Sequence, residues 1–85
     1  MFGEVVVKDI FNITGVGVVV VVEVISGVIR KGSAFRLPSG KTGMVKSIEM
    51  LGRSIEVAKT GMKVGIALSG VSKEDLRKGD IILIR

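Results

Sequence analysis

An all-β fold, a small closed β-barrel, is predicted by three features of the 85-residue chain. A run of valines from Val18 to Val24, interrupted only by Glu23, follows a pair of glycines, Gly15 and Gly17. Short alternating apolar segments recur along the rest of the chain, separated by Gly, Pro and Ser. No long helical segment lies between them. Short strands at close spacing, joined by turns, are the signature of a small barrel. A central helix would carry Gly15, Gly17 and many valines against their propensities. The length accommodates one domain, residues 1–85.

Taken in order, Val5-Val6-Val7 opens the first strand, which Lys8 and Asp9 carry into Ile10, Phe11 and Ile13. Thr14-Gly15-Val16-Gly17 turns the chain into the second strand, because glycine adopts positive φ without a Cβ clash. Val18, Val20, Val22 and Val24 line one face of that strand, and Val19, Val21, Glu23 and Ile25 the other. A strand apolar on nearly both faces is either central in a closed sheet or docked against a partner. Glu23 reads as an edge gatekeeper or a salt-bridge member.

Val28-Ile29 begins a short extended piece ended by Arg30-Lys31-Gly32, and Ala34 to Leu37 alternates as a strand. Pro38-Ser39-Gly40 breaks it. Lys41 to Met50 alternates again, with Met44, Lys46, Ile48 and Met50 on one face and Val45, Ser47 and Glu49 on the other. Gly52-Arg53 reads as a bend, Ser54 to Ala58 as one short strand, and Val64 to Leu68 as an apolar strand. Ser72-Lys73-Glu74-Asp75 resembles a capping box that starts a helical turn of about six residues over Ser72–Lys78, with Gly79 as its stop. Ile81 to Ile84 closes the chain as a strand. Arg30-Lys31-Gly32 recurs as Arg77-Lys78-Gly79, the same turn solution used twice.

Composition narrows function. Without cysteine there is no disulfide, thiolate nucleophile or cysteine metal site, and without histidine the commonest general base and metal ligand are missing. No catalytic residue, metal site or cofactor is expected. Gly40-Lys41-Thr42 imitates the end of a phosphate loop, but Phe35 stands where that pattern needs glycine. Gly15-Val16-Gly17 imitates a dinucleotide fingerprint, but Val20 and a strand follow. Of three phenylalanines, Phe11 and Phe35 read as core, so no stacking platform for single strands is expected.

Thirteen basic and eight acidic residues give a net charge of +5, which favours anionic partners such as RNA. The apolar run Val16 to Val22 is too short to span a bilayer as a helix, and no signal segment opens the chain, so a soluble cytoplasmic protein is expected. The absence of Gln, with a single Asn and charge carried mostly by Lys and Glu, suits a thermophile.

Several stretches resemble the second domain of elongation factor Tu and related translational GTPases. They are Val7 to Gly17, Val24 to Gly32, Val45 to Met50, Gly61 to Val71 and Ser72 to Asp80, in the family's order and over nearly the whole chain. The resemblance implies a six-stranded antiparallel barrel that holds the aminoacylated 3′ end of tRNA beside a GTPase domain. It implies a terminal-adenosine pocket at Ile13, Gly15, Val19, Glu49 and Ala67, where Glu49 would accept hydrogen bonds from a ribose or base edge or stand as a solvated strand charge. The family's Arg between the glycines is Val16 here, its Thr-Gly-Arg after the hairpin is Val21-Val22-Glu23, and its frequent Asp is Ser33. Phosphate and guanine motifs are missing from the chain.

Two functions are therefore expected to compete. In one, a translation-factor barrel binds tRNA or the ribosome, or a translation GTPase, with Arg30, Lys31, Lys41, Lys46 and Arg53 on phosphates. In the other, a protein-interaction or homodimerisation module uses the strand of Val19, Val21 and Glu23 without binding RNA.

Overall fold

The structure is a computed structural model that describes residues 2–85. Its strands are β1 (Gly3–Ile13), β2 (Gly17–Ser26), β3 (Val28–Arg30), β4 (Ala34–Arg36), β5 (Thr42–Met50), β6 (Arg53–Ile55), β7 (Val57–Lys59), β8 (Lys63–Leu68) and β9 (Ile81–Ile84). A 3-10 turn at Lys73–Asp75 precedes β9. The sheet runs β4-β9-β1-β2-β8-β5, and β4 also pairs with β5, which closes a six-stranded antiparallel barrel as expected. β6 extends from β5, while β3 and β7 pair as a separate ribbon. That ribbon lies where β1 begins and β2 ends, and buries Ile29 and Ala58 in the core.

The glycine hairpin forms as predicted. Val16 N–H donates to Ile13 O at 3.0 Å, with Gly15 at φ 82° and Gly17 at φ 102°. Val18, Val20, Val22 and Val24 point into the barrel and are buried, while Val19, Val21 and Glu23 are half-buried on the outer surface. β2 lies between β1 and β8, so Glu23 guards no edge; it forms a salt bridge with Lys8 at 3.8 Å. The repeated Arg-Lys-Gly turns match: Ser33 N–H donates to Arg30 O and Asp80 N–H to Arg77 O, each at 3.1 Å, with Gly32 at φ 87° and Gly79 at φ 93°.

Two β-bulges overturn part of the expected alternation. In β1, Val5 and Val7 face inward, and strict alternation would place Phe11 with them. The pairing shifts between Val7↔Val22 and Asp9↔Val21, so Ile10 packs on the core opposite Val20 and Phe11 faces outward at 45% exposure. Phe11 is thus not a core residue, whereas Phe35 is. In β5 the shift between Val45 and Ser47 lets Val45 and Ile48 both enter the core, leaving Met44 outside.

Three other boundaries differ from expectation. Ser54 to Ala58 is two strands, because Ile55 pairs with Ile48 in the barrel while Val57 pairs with Arg30 in the ribbon. Leu51 and Gly52, at φ 51° and 78°, form the two-residue loop between β5 and β6, one residue earlier than the expected bend. The helical turn ends after Asp75, because Leu76 extends and is buried in the core; Gly79 serves the later turn. The capping residues are as predicted, with the Asp75 carboxylate accepting from Ser72 N–H at 2.7 Å and from Lys41 Nζ at 2.8 Å.

Two predictions follow from these turns. Leu51 is 94% exposed and adopts the left-handed conformation that penalises most side chains. Two positive φ values match the loop type that favours Asn-Gly. Leu51→Asn is expected to raise stability by about 1 kcal/mol in urea unfolding. The Lys41 ammonium, then Ser72 N–H, hold the Asp75 carboxyl below its ordinary value. Its stabilising contribution is therefore full above about pH 4, the range of an unperturbed aspartate, and is lost as pH falls through the lower folded value. Asp75→Asn should flatten this acid limb when unfolding is followed as a function of pH.

Candidate functional site

Residues opposite one another in an antiparallel ladder share a face. On the outer surface this aligns Phe11, Val19, Ala67 and Ser47 in one row across β1, β2, β8 and β5. The adjacent row runs through Asp9, Val21, Gly65, Glu49 and Ser54. The two smallest side chains, Gly65 and Ala67, both fall on β8, so the surface dips there. Ala67 is 4% exposed yet stands outside the core cluster, because larger neighbours shade it on the outer face.

The dip is a cleft of about 120 Å³ lined by Ile13, Val16, Val19, Ser47, Glu49, Gly65 and Ala67. Each residue has a local cause for its place. The hairpin turn brings Ile13 and Val16 to one wall, and β2 contributes the outward Val19. The β5 bulge leaves Ser47 and Glu49 outward on the opposite wall while sending Ile48 inward. Lys46 reaches from β5 across to the hairpin, where its Nζ donates to Val16 O at 2.6 Å. The Glu49 carboxylate is exposed and forms no side-chain hydrogen bond or salt bridge among the described residues. The cleft is therefore a shallow concavity with an aliphatic wall, a floor of small residues and one free carboxylate able to accept hydrogen bonds.

Of the five pocket residues implied by resemblance, the structure brings together Ile13, Val19, Glu49 and Ala67. Gly15 lies beside Val16 in the turn but does not line the cleft. Among the basic residues, only Lys46 is tied to a cleft residue. Arg53 sits opposite Met50, one step past the Glu49↔Ser54 pair. Arg30 and Lys31 belong to the ribbon and its turn, with Lys31 N–H donating to Glu56 O. Lys41 is engaged by Asp75. Val21 and Glu23 lie farther along the outer face of β2, with Glu23 held by Lys8.

Sequence reasoning missed Val16, Ser47 and Gly65 as lining residues. Ser47 shares its predicted face with Glu49, a signal that was available; Gly65 has none without the strand order. Among the described residues, no group of three or more His, Cys, Asp or Glu side chains could hold a metal ion. No helix among them is long and apolar enough to cross a membrane.

Comparison with known proteins places this geometry in context. The profile of the family described as Elongation factor Tu domain 2 matches residues 17–83. Elongation factor 1-alpha of Methanothermobacter thermautotrophicus is 45% identical over 76 residues, and that of Methanobrevibacter smithii 43% identical over 76 residues. Each alignment covers 88% of this chain and 18% of the relative, so the chain spans under a fifth of the length of these relatives. Among solved structures, translation elongation factor SelB from Methanococcus maripaludis superposes with a TM-score of 0.91 at 27% identity, covering 100% of this chain and 18% of that one.

The floor of the cleft is testable without any ligand. A Cβ added to Gly65 would meet Val19 Cγ1 at 3.8 Å, an ordinary contact, and the φ of Gly65 is not positive. Gly65→Ala should therefore fold with unchanged or slightly raised stability, by up to about 1 kcal/mol in urea unfolding, since glycine weakens a strand interior.

Proposed function

The chain belongs to the Elongation factor Tu domain 2 family, and from that premise we propose that it is a non-catalytic translation-factor barrel whose outer cleft receives the 3′ end of a tRNA. The convergence of Ile13, Val19, Glu49 and Ala67 on one cleft carries the proposal. In this reading the terminal base lies against Ile13, Val16 and Val19, over the small floor of Gly65 and Ala67. Glu49 accepts from a ribose hydroxyl or a base edge. Lys46, at the mouth, meets the adjoining phosphate, a role supported by its position next to Val16, where the family's arginine is absent. Arg53 extends the positive surface beyond Glu49, whereas Arg30, Lys31 and Lys41 serve ribosomal RNA or other contacts away from the cleft.

The barrel acts beside a GTPase domain, in the same polypeptide or in another chain, and in the cytoplasm. A thermophilic source is supported by the charge composition.

A second reading, docking of a protein or a second copy on β2, has one supporting observation. Phe11, Ile13 and Val16 are exposed next to the half-buried Val19 and Val21, which makes the outer face apolar near the hairpin.

Titration with a short single-stranded RNA ending in a 3′ adenosine, at several salt concentrations, separates the two. The RNA reading predicts affinity that falls with salt, with a logarithmic slope of about −0.7 per phosphate contacted. Lys46→Ala should reduce that slope by about one contact. Glu49→Ala should cost roughly 1.5–3 kcal/mol of binding, as expected for loss of hydrogen bonds to a charged group. No RNA binding together with a dimeric solution mass would favour docking through Val19 and Val21.

A further inference from the structure

On the side of the barrel formed by β4 and β9, the outer surface carries a second concavity unrelated to the cleft. A trough of about 580 Å³ is lined by Phe2, Ala34, Phe35, Arg36, Thr42, Leu83 and Arg85. It shares Arg36 and Leu83 with an adjoining hollow of about 540 Å³ that continues past Pro38 and Ile81. Each volume lies in the range of ligand-binding sites.

Its floor is apolar and open to solvent. Leu83 is 43% exposed and Phe2 59% exposed, and Ile81 faces the same side two residues before Leu83. The hollow exists because the ladder between β4 and β9 stops at Arg36↔Leu83. Two further steps in that register would bring Pro38 opposite Ile81, and proline has no N–H to continue a ladder.

The charged side chains that line the trough itself are both arginines. Arg36 lies across from Leu83, and Arg85 follows two residues later on the same face. Both are exposed, and neither forms a salt bridge among the described residues. The Arg85 guanidinium lies 5.8 Å from the centre of the Phe2 ring, which orients it at the trough's edge. Two carboxylates adjoin it: Glu4, opposite Leu83 on β1, accepts from Ser26 Oγ at 2.8 Å, and Asp80, in the adjoining hollow, accepts from Arg77 N–H at 2.9 Å.

We propose that this trough is a docking site for an acidic, apolar peptide segment of a protein partner, with aliphatic side chains on Leu83 and Ile81 and carboxylates on Arg36 and Arg85. Planar guanidinium groups match carboxylates by paired hydrogen bonds, and two of them flanking an aliphatic floor select that combination. A nucleic acid fits less well, because the one exposed ring of the lining, Phe2, already carries a guanidinium and is not free to stack on a base.

The test is an amide chemical-shift titration of the isotope-labelled chain with three probes. These are a short peptide of alternating glutamate and leucine, the same peptide with lysine for glutamate, and the RNA ending in adenosine. Saturable shifts at Arg36, Ile81, Leu83 and Arg85 are expected with the glutamate peptide alone. Arg36→Ala and Arg85→Glu should each weaken binding by about tenfold or more, with the signals of the buried Val20 and Ile66 unmoved as a check on folding. Equal response to the lysine peptide, strongest response of these residues to RNA, or no saturable response to the glutamate peptide would each overturn the proposal.

Discussion

The glycine turn between β1 and β2 is the constraint on which the rest of the barrel depends. Five consecutive valines, Val18 to Val22, carry almost no register information of their own, because a slip by one residue would still present valine to the core. The turn removes that ambiguity. Its Val16-to-Ile13 hydrogen bond and the positive φ values of Gly15 and Gly17 set how β2 leaves β1. Glu23 reinforces the choice from the other end, since only an outward position lets it reach water and Lys8. With β2 so placed, β8 and then β5 add to one side while β1 and β9 hold the other, until β4 closes the ring.

The same turn builds the cleft, together with two departures from regularity. The β1 bulge turns Ile13 outward, and the β5 bulge allows Ile48 into the core while Ser47 and Glu49 stay outside. A strictly alternating β5 could not bury both Val45 and Ile48. Core packing and site chemistry are therefore coupled on one strand: the bulge that satisfies the interior also arms the surface. Between the walls, Gly65 and Ala67 leave room that larger outward residues on β8 would occupy.

Much of this was legible in the residues. The hairpin, the division of β2 into two faces, the closing strand Ile81 to Ile84, the capping pair Ser72 and Asp75, and the twin Arg-Lys-Gly turns follow from local chemistry and appear where expected. Four of the five cleft residues implied by resemblance converge. What could not be read depends on pairings between distant segments. The outward turn of Phe11 requires knowing that Lys8 bulges against β2. The division of Ser54 to Ala58 requires knowing that Ile55 and Val57 have partners in different sheets. The engagement of Lys41 joins residues 34 positions apart, and the trough of Arg36 and Arg85 exists only because β4 lies beside β9.

The most direct measurement maps where RNA lands on the barrel. Amide chemical shifts of the labelled chain would be followed as a short RNA ending in a 3′ adenosine is added. If the outer cleft is the binding site, saturable shifts centre on Ile13, Val16, Val19, Glu49, Gly65 and Ala67, with Lys46 moving alongside them. Shifts confined to Arg30, Lys31 and Lys41, with the cleft residues still, would show that RNA binds by surface charge alone and would contradict the role given to the cleft.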